Sequence, residues 1–230
     1  MKKIIKPILT ILLIIAMCAL IWYMVPGLKD ILTKEGQVAF KERIEELGIW
    51  GFLLLFFLQV MQIMLVVLPG EPLEVLAGMC YGTWCGVLFI TFSVFVTTTV
   101  IFFIVRKYGK KYLYNFFEKE KVDKLEKKLL KHKKKMEIIL WILFFLPGTP
   151  KDLALYIGGL LPIKPLRFIL ISTFVRFPSV ISSTMVGSNL VDGKWETSLI
   201  IYGVVAMLTG IALFIVHKKD KKKEIIDILK

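Results

Sequence analysis

The chain has 230 residues, of which 57% are hydrophobic, and its mean hydropathy is +0.72. Its apolar runs reach about 20 residues, enough to span roughly 30 Å of hydrocarbon, which excludes an ordinary soluble protein and predicts an all-α integral membrane protein. The net charge of +13 comes from lysines beside these runs, where anionic lipid headgroups attract them, so we expect membrane lipids and no nucleic acid as partners.

Residues 1–34 form the first predicted segment. Three lysines precede an apolar run from Ile8 to Val25. The run is longer than a usual signal-peptide core and has no small-residue cleavage site before Pro26. We therefore predict a retained transmembrane helix followed by a short external segment.

The pattern Leu-Pro-Gly-x-Pro-x-acid occurs twice, at residues 68–74 and again at residues 146–152. Proline removes a backbone donor and glycine loosens a helix, so each copy predicts a non-helical break within an apolar segment. Irregular backbone at membrane depth is tolerated where it lines a polar cavity or is buried in protein. The predicted breaks are at Pro69, Gly70 and Pro72 and at Pro147, Gly148 and Pro150.

The charges between the apolar runs indicate the topology. Residues 106–135 hold thirteen basic and four acidic residues, and residues 218–230 hold six basic and three acidic ones, so both are predicted to be cytoplasmic. Residues 26–48 and 186–198 each have a net charge of −1 and are predicted to lie outside. The number of membrane crossings fits this sidedness if two segments are re-entrant hairpins that enter and leave on the same side. Residues 49–85 would enter from the outer face, and residues 136–161 would enter from the cytoplasm.

The predicted fold is thus an inverted repeat of two re-entrant helical hairpins, each followed by a transmembrane helix, at residues 86–105 and 165–186. A further transmembrane helix at 199–216 completes a membrane domain over residues 35–216, and residues 217–230 form a basic cytoplasmic tail. Such repeats with broken helices are typical of secondary transporters. We expect a multi-pass protein of the cell (cytoplasmic) membrane with both termini cytoplasmic.

Two smaller patterns concern packing. Gly78, Gly82 and Gly86 give the returning arm of the first hairpin a face suited to close backbone approach, within the bundle in preference to a dimer interface. Nothing else in the sequence supports an oligomer. Apolar residues at helical spacing among the lysines of residues 110–135 predict a helix that lies on the membrane or, alternatively, a solvated charged linker helix.

Four ionisable residues fall within the predicted membrane segments: Glu71, Glu74, Asp152 and Arg176. Together they would cost on the order of 10 kcal/mol if left alone in lipid, so they need partners or water. Arg176 lies about 16 Å into the helix that starts at Pro165, near mid-membrane. We therefore predict that Arg176 pairs with Glu71 or Glu74.

By the symmetry of the repeat, Arg106 could approach Asp152, although an arginine at the cytoplasmic end of a helix is also what topology alone requires. Lys151 could neutralise its neighbour Asp152. A purely structural ion pair and a transport or proton-exchange site both remain open for these residues.

The sequence contains no pattern typical of an enzyme. Cys80 and Cys85 are separated by four residues within an apolar segment. No histidine and no further cysteine is nearby in the sequence, so a metal site is not predicted. We expect no cofactor and no catalytic residues.

Taken together, several motifs resemble the VTT domain of the DedA and SNARE-associated Golgi protein superfamily, nearest its Tvp-type branch. The motifs cover residues 35–215 and are Pro-Gly-acid at 69–71, Ala77-Gly78, Gly82, Phe102 with Arg106 and Gly109, Pro147 to Asp152, Gly158-Gly159, Arg176-x-Pro178 and Gly187. The resemblance implies opposed re-entrant hairpins that move lipids between leaflets, with Glu71 as the hairpin acid.

One departure bears on the substrate. DedA proteins carry two arginines in the second hairpin at positions where this chain has Phe144 and Pro150. The phosphate-binding role of those arginines therefore does not transfer, and Arg176 and Lys151 are the remaining candidates for a phosphate contact.

We predict a flippase or scramblase of a phosphate-containing lipid, a polyprenyl phosphate or a phospholipid, with protons as a candidate coupling ion. The first alternative is a proton-coupled transporter of a small ion or solute. The second is a membrane assembly factor without transport.

Overall fold

A computed structural model of the chain describes residues 33–65, 70–114, 117–131, 136–145 and 151–219. The predicted N-terminal helix, Pro69, Pro147, Gly148, Pro150 and residues 220–230 of the tail lie outside these residues. The helices of the described part are α1 (Lys34–Glu46), α2 (Ile49–Leu65), α3 (Glu71–Tyr108), α4 (Lys110–Leu113), α5 (Lys119–Lys131), α6 (Met136–Phe145), α7 (Lys151–Gly158), α8 (Pro165–Phe174), α9 (Phe177–Val191) and α10 (Trp195–Lys219).

The helices have the length and surface of a membrane protein. Among the described residues, Glu71–Tyr108 and Pro165–Val191 are long and apolar enough to cross a bilayer, and a third span is possible if α1 and α2, bent by 111°, act together. Large apolar side chains are exposed along one face of α3, at Leu88, Phe92, Phe95 and Phe103. An exposed apolar face of this kind suits hydrocarbon, so the protein is embedded in a membrane.

The chain divides into two compact units. The first contains the residues up to Ile90 and Ser183–Ser198, and the second contains Thr91–Ser182 and the residues from Leu199 onward.

In the first unit, α2 and the beginning of α3 form an antiparallel helical hairpin. The ring of Phe52, near the start of α2, lies 6.4 Å from that of Tyr81 and 5.1 Å from that of Phe89. Helix α2 ends at Leu65, and α3 begins at Glu71 with Pro72 in its first turn.

A second reversal lies at Gly82, where the backbone has φ 74° and ψ 177°. A Cβ atom placed on Gly86 would be 3.1 Å from the carbonyl oxygen of Ala77, nine residues earlier. Nine residues of straight helix would separate the two by about 13 Å. Helix α3 is therefore two arms joined by a sharp bend, and the bend needs glycine because other residues rarely adopt this backbone conformation.

The glycines of the returning arm have different roles. A Cβ atom on Gly78 would overlap the carbonyl oxygen of Thr184 in α9, and one on Gly187 in α9 would overlap that of Val75. The two backbones thus approach each other closely where each helix has a glycine opposite the backbone of the other. Gly82 takes no part in this packing, because no atom lies within 4 Å of a Cβ atom placed on it. Its role is to form the bend.

In the second unit, α6 and α7 are followed by α8 and the first part of α9. Helix α6 packs on α7, α8 and α5, and α5 also packs on α7. The centre of this core is Phe168, whose ring is 5.4 Å from that of Phe102 and 6.1 Å from that of Phe144. The Phe168 ring also covers Gly158, where a Cβ atom would not fit.

Candidate functional site

The polar cluster of the second unit lies where two of its helices begin. Lys151 and Asp152 occupy the first turn of α7, directly after the second Leu-Pro-Gly motif. Arg176 lies between α8 and α9. The break at Arg176 has a local cause, since Pro178 lacks the N–H that would bond the carbonyl of Phe174, and α8 ends at Phe174.

Arg176 is held between a carboxylate and an aromatic ring. Its Nη2 is 3.8 Å from Oδ1 of Asp152, and its guanidinium carbon is 5.2 Å from the centre of the Phe144 ring. The Arg176 side chain is 8% exposed and that of Asp152 21% exposed. Attraction between a guanidinium and a carboxylate is strong when both are shielded from water, and the ring face adds a cation–π contribution.

Lys151 extends the cluster toward α9. Its Nζ donates a hydrogen bond to Oγ of Ser179 at 3.4 Å, and Ser179 lies one turn after Arg176. Two cations and one carboxylate therefore meet at the start of α7 and α9. An excess of positive charge with hydroxyl groups nearby is suited to an anionic group such as phosphate.

The sequence matches the VTT domain over residues 68–189, just over half of the chain. The chain belongs to the VTT domain family. No solved structure matches it.

The VTT domain of this chain therefore begins at the first break and ends within α9. VTT domain proteins are membrane proteins linked to transport, in agreement with the exposed apolar helix faces. The cluster around Arg176 and the first break both lie within the matched residues.

Arg106 has a different environment from the one that repeat symmetry suggested. Its Nη2 donates a hydrogen bond to the carbonyl oxygen of Ile163 at 2.9 Å, and its guanidinium carbon is 4.8 Å from the centre of the Phe102 ring. Asp152 is close to Arg176 instead. Arg106 thus ties the end of α3 to the turn before α8.

The first unit carries its own polar groups next to the first break. Glu74 is buried in the first turn of α3, and Glu71 is partly exposed at its start. Both belong to a different unit from Arg176, so the pairing of Arg176 with either carboxylate remains a prediction.

Gln59 and Gln62 are site residues that the sequence analysis missed. Both are buried in α2, and Nε2 of Gln59 donates to Oε1 of Gln62 at 3.5 Å. A Cβ atom on Gly70 would lie 3.5 Å from that same Oε1 atom, so the amides border the first break. Two glutamines three residues apart in an otherwise apolar run were the available signal, because polar groups at membrane depth usually face protein or a cavity.

Proposed function

We propose that this protein is a flippase or scramblase that moves a phosphate-containing lipid between the leaflets of the cell (cytoplasmic) membrane. The observation that carries the proposal is the buried Arg176 beside Asp152 in a VTT domain, with Lys151 and Ser179 next to it. A phosphate headgroup would bind these cations while its acyl or prenyl chains stay in hydrocarbon.

The ring under Arg176 supports this role. Phe144 stands at one of the positions where DedA proteins carry an arginine, and the Arg176 guanidinium lies over the Phe144 ring. A cation is therefore present near that position although the arginine itself is replaced. This substitution also favours the Tvp-type branch over DedA proper, and it leaves polyprenyl phosphate and phospholipid as the two substrate classes to test.

Asp152 is our candidate for proton exchange in this cycle. An incoming phosphate would compete with Asp152 for Arg176, and the displaced carboxylate would be stabilised by taking up a proton. Glu71 and Glu74 are the corresponding candidates in the first hairpin.

The test is leaflet exchange in liposomes that contain the purified protein. Fluorescent phosphatidylglycerol, phosphatidylethanolamine and a polyprenyl phosphate are added in turn, and the fraction accessible to a membrane-impermeant quencher is followed over time. We expect exchange above that of protein-free vesicles for at least one phosphate lipid. Absence of exchange for every headgroup would refute the proposal.

Two further measurements separate the alternatives. Currents on a solid-supported membrane that appear on addition of a small solute and vanish in Glu71→Gln would indicate an ion or solute transporter. A cellular phenotype unchanged by Glu71→Gln, Glu74→Gln and Asp152→Asn would indicate an assembly factor.

A further inference from the structure

The basic segment after α3 folds onto the second hairpin. Its apolar side chains Leu113, Val122, Leu125 and Leu129 are buried, and α5 packs on both α6 and α7. The Phe117 ring meets that of Tyr156 in α7 edge to face, with centroids 5.1 Å apart. The apolar face of α5 is thus covered by protein and is not available to insert into lipid.

Ion pairs hold α4 and α5 together. Lys110 forms a salt bridge with Glu126 and lies 3.6 Å from Asp123, which also accepts a hydrogen bond of 2.8 Å from the Tyr114 hydroxyl. The hydrogen bond with Glu126 raises the pKa of Lys110 above its usual value. The single charge of Lys110 is therefore shared by two acidic side chains of α5.

The outward face of α5 is left with an excess of lysine. Its exposed basic residues are Lys119, Lys121, Lys124, Lys127 and Lys131. The carboxylates on this side are Glu118, which pairs with Lys121 at 3.2 Å, Glu120 and the partly exposed Asp123. The face therefore keeps a net positive charge.

The neighbour of α5 indicates what this face meets. Helix α6, on which α5 packs, exposes Ile138, Trp141 and Phe145, three apolar residues on one side of the helix. Such a stripe suits hydrocarbon, and packed helices are only about 8–10 Å apart. Helix α5 therefore lies within about one helix diameter of lipid. This distance is comparable with the Debye length at physiological salt, roughly 8 Å, so its charges can act on lipid headgroups.

We propose that the lysine face of α5 binds anionic phospholipid headgroups of the leaflet that the second hairpin enters. Binding is electrostatic and lateral, because the apolar face of the helix is occupied by the hairpin. Each lysine near an anionic surface contributes about 1 kcal/mol, so the face gathers anionic lipid beside the hairpin. This role goes beyond leaflet exchange, since the gathered lipid need not be the lipid that moves.

The test measures lipid enrichment around the full-length protein and requires no transport. A donor fluorophore is attached to Glu118→Cys in a background without native cysteines, and the protein is placed in nanodiscs of phosphatidylcholine with phosphatidylglycerol. Energy transfer to a trace of acyl-labelled phosphatidylglycerol is divided by transfer to acyl-labelled phosphatidylcholine in the same membrane.

We expect an energy-transfer ratio of at least about two, because each lysine contributes about 1 kcal/mol of attraction to an anionic surface. The ratio should fall toward one in 1 M salt, which screens this attraction. The test variant replaces Lys121, Lys124, Lys127 and Lys131 with Gln and should bring the ratio to one. The matched control replaces Lys34, Lys41, Arg43 and Lys194, predicted to lie on the outer face, and should leave it unchanged. A wild-type ratio of one, or an equal fall in the control, would overturn the proposal, and RNA binding without lipid enrichment would reassign the face to nucleic acid.

Discussion

The buried Arg176 and the partly buried Asp152 form a loosely spaced ion pair in which Nη2 and Oδ1 are 3.8 Å apart. The distance is longer than the roughly 2.7–2.9 Å of a charge-assisted hydrogen bond, so this contact is an ion pair and not a hydrogen bond. The pair joins the first turn of α7 to the segment between α8 and α9.

The first prediction concerns the energy of this pair. A double-mutant cycle with Asp152→Asn and Arg176→Gln should give a coupling energy of about 1–2 kcal/mol, because the groups are shielded from water. Unfolding free energies in mixed detergent micelles measure it. The control cycle uses Glu137→Gln and Arg167→Gln, an exposed pair at 3.3 Å, which should couple by no more than about 0.5 kcal/mol. A larger coupling energy for the exposed pair, whose atoms are closer together, than for the shielded pair would contradict this expectation.

The second prediction concerns the contact between α3 and α9. Gly78→Ala places a methyl group against the Thr184 carbonyl, and the backbone there cannot move aside easily. Overpacking of this kind costs about 1–3 kcal/mol of stability. Gly203→Ala in α10 has open space around it and should be neutral or stabilising, by up to about 1 kcal/mol. Equal stabilities of the two variants would argue against the contact.

The third prediction concerns the bend at Gly82. Gly82→Ala meets no atom within 4 Å, so any loss comes from the backbone conformation, which costs about 1–3 kcal/mol for a residue with a Cβ atom. The matched substitution Gly210→Ala also meets open space but lies in regular helix. Thermal melting in detergent should therefore separate the two, and an unchanged melting temperature for Gly82→Ala would exclude the bend.

The fourth prediction concerns pH. The pKa of Lys110 is raised by its hydrogen bond with Glu126, so the stability that the pair contributes is complete below the ordinary lysine pKa of 10.5 and is lost as the pH rises through the higher folded value. The difference in melting temperature between wild type and Lys110→Gln should be constant from pH 8 to pH 10 and should shrink above that. A difference that grows with pH would have the wrong sign for this pair.

Local chemistry explains which parts of this structure were predictable. The start of α3 at Glu71, directly after Gly70, agrees with the expectation that glycine and proline interrupt a helix. The sequence could not distinguish Gly78 from Gly82, since one packs on Thr184 and the other turns the chain, and only tertiary contacts separate these roles.

Pairing of charges was the harder problem. The depth of Arg176 followed from helix rise, and the symmetry of the repeat suggested Arg106 for Asp152. The structure places Arg176 next to Asp152, and Pro178 ends α8 at Phe174 just before Arg176; the Arg106 guanidinium donates a hydrogen bond to the Ile163 carbonyl. Which charges pair depends on where the helix breaks place their side chains. An estimate of depth from the rise of a continuous helix does not include these breaks.

The central claim is that Arg176 contacts a phosphate headgroup during leaflet exchange. Liposomes with wild type, Arg176→Gln and Arg167→Gln test it most directly, since Arg167 is an exposed arginine of the same unit. Loss of a charge-assisted contact of about 1.5–3 kcal/mol predicts at least a tenfold slower exchange for Arg176→Gln and a wild-type rate for Arg167→Gln. Equal rates for wild type and Arg176→Gln, with both proteins folded, would contradict the account.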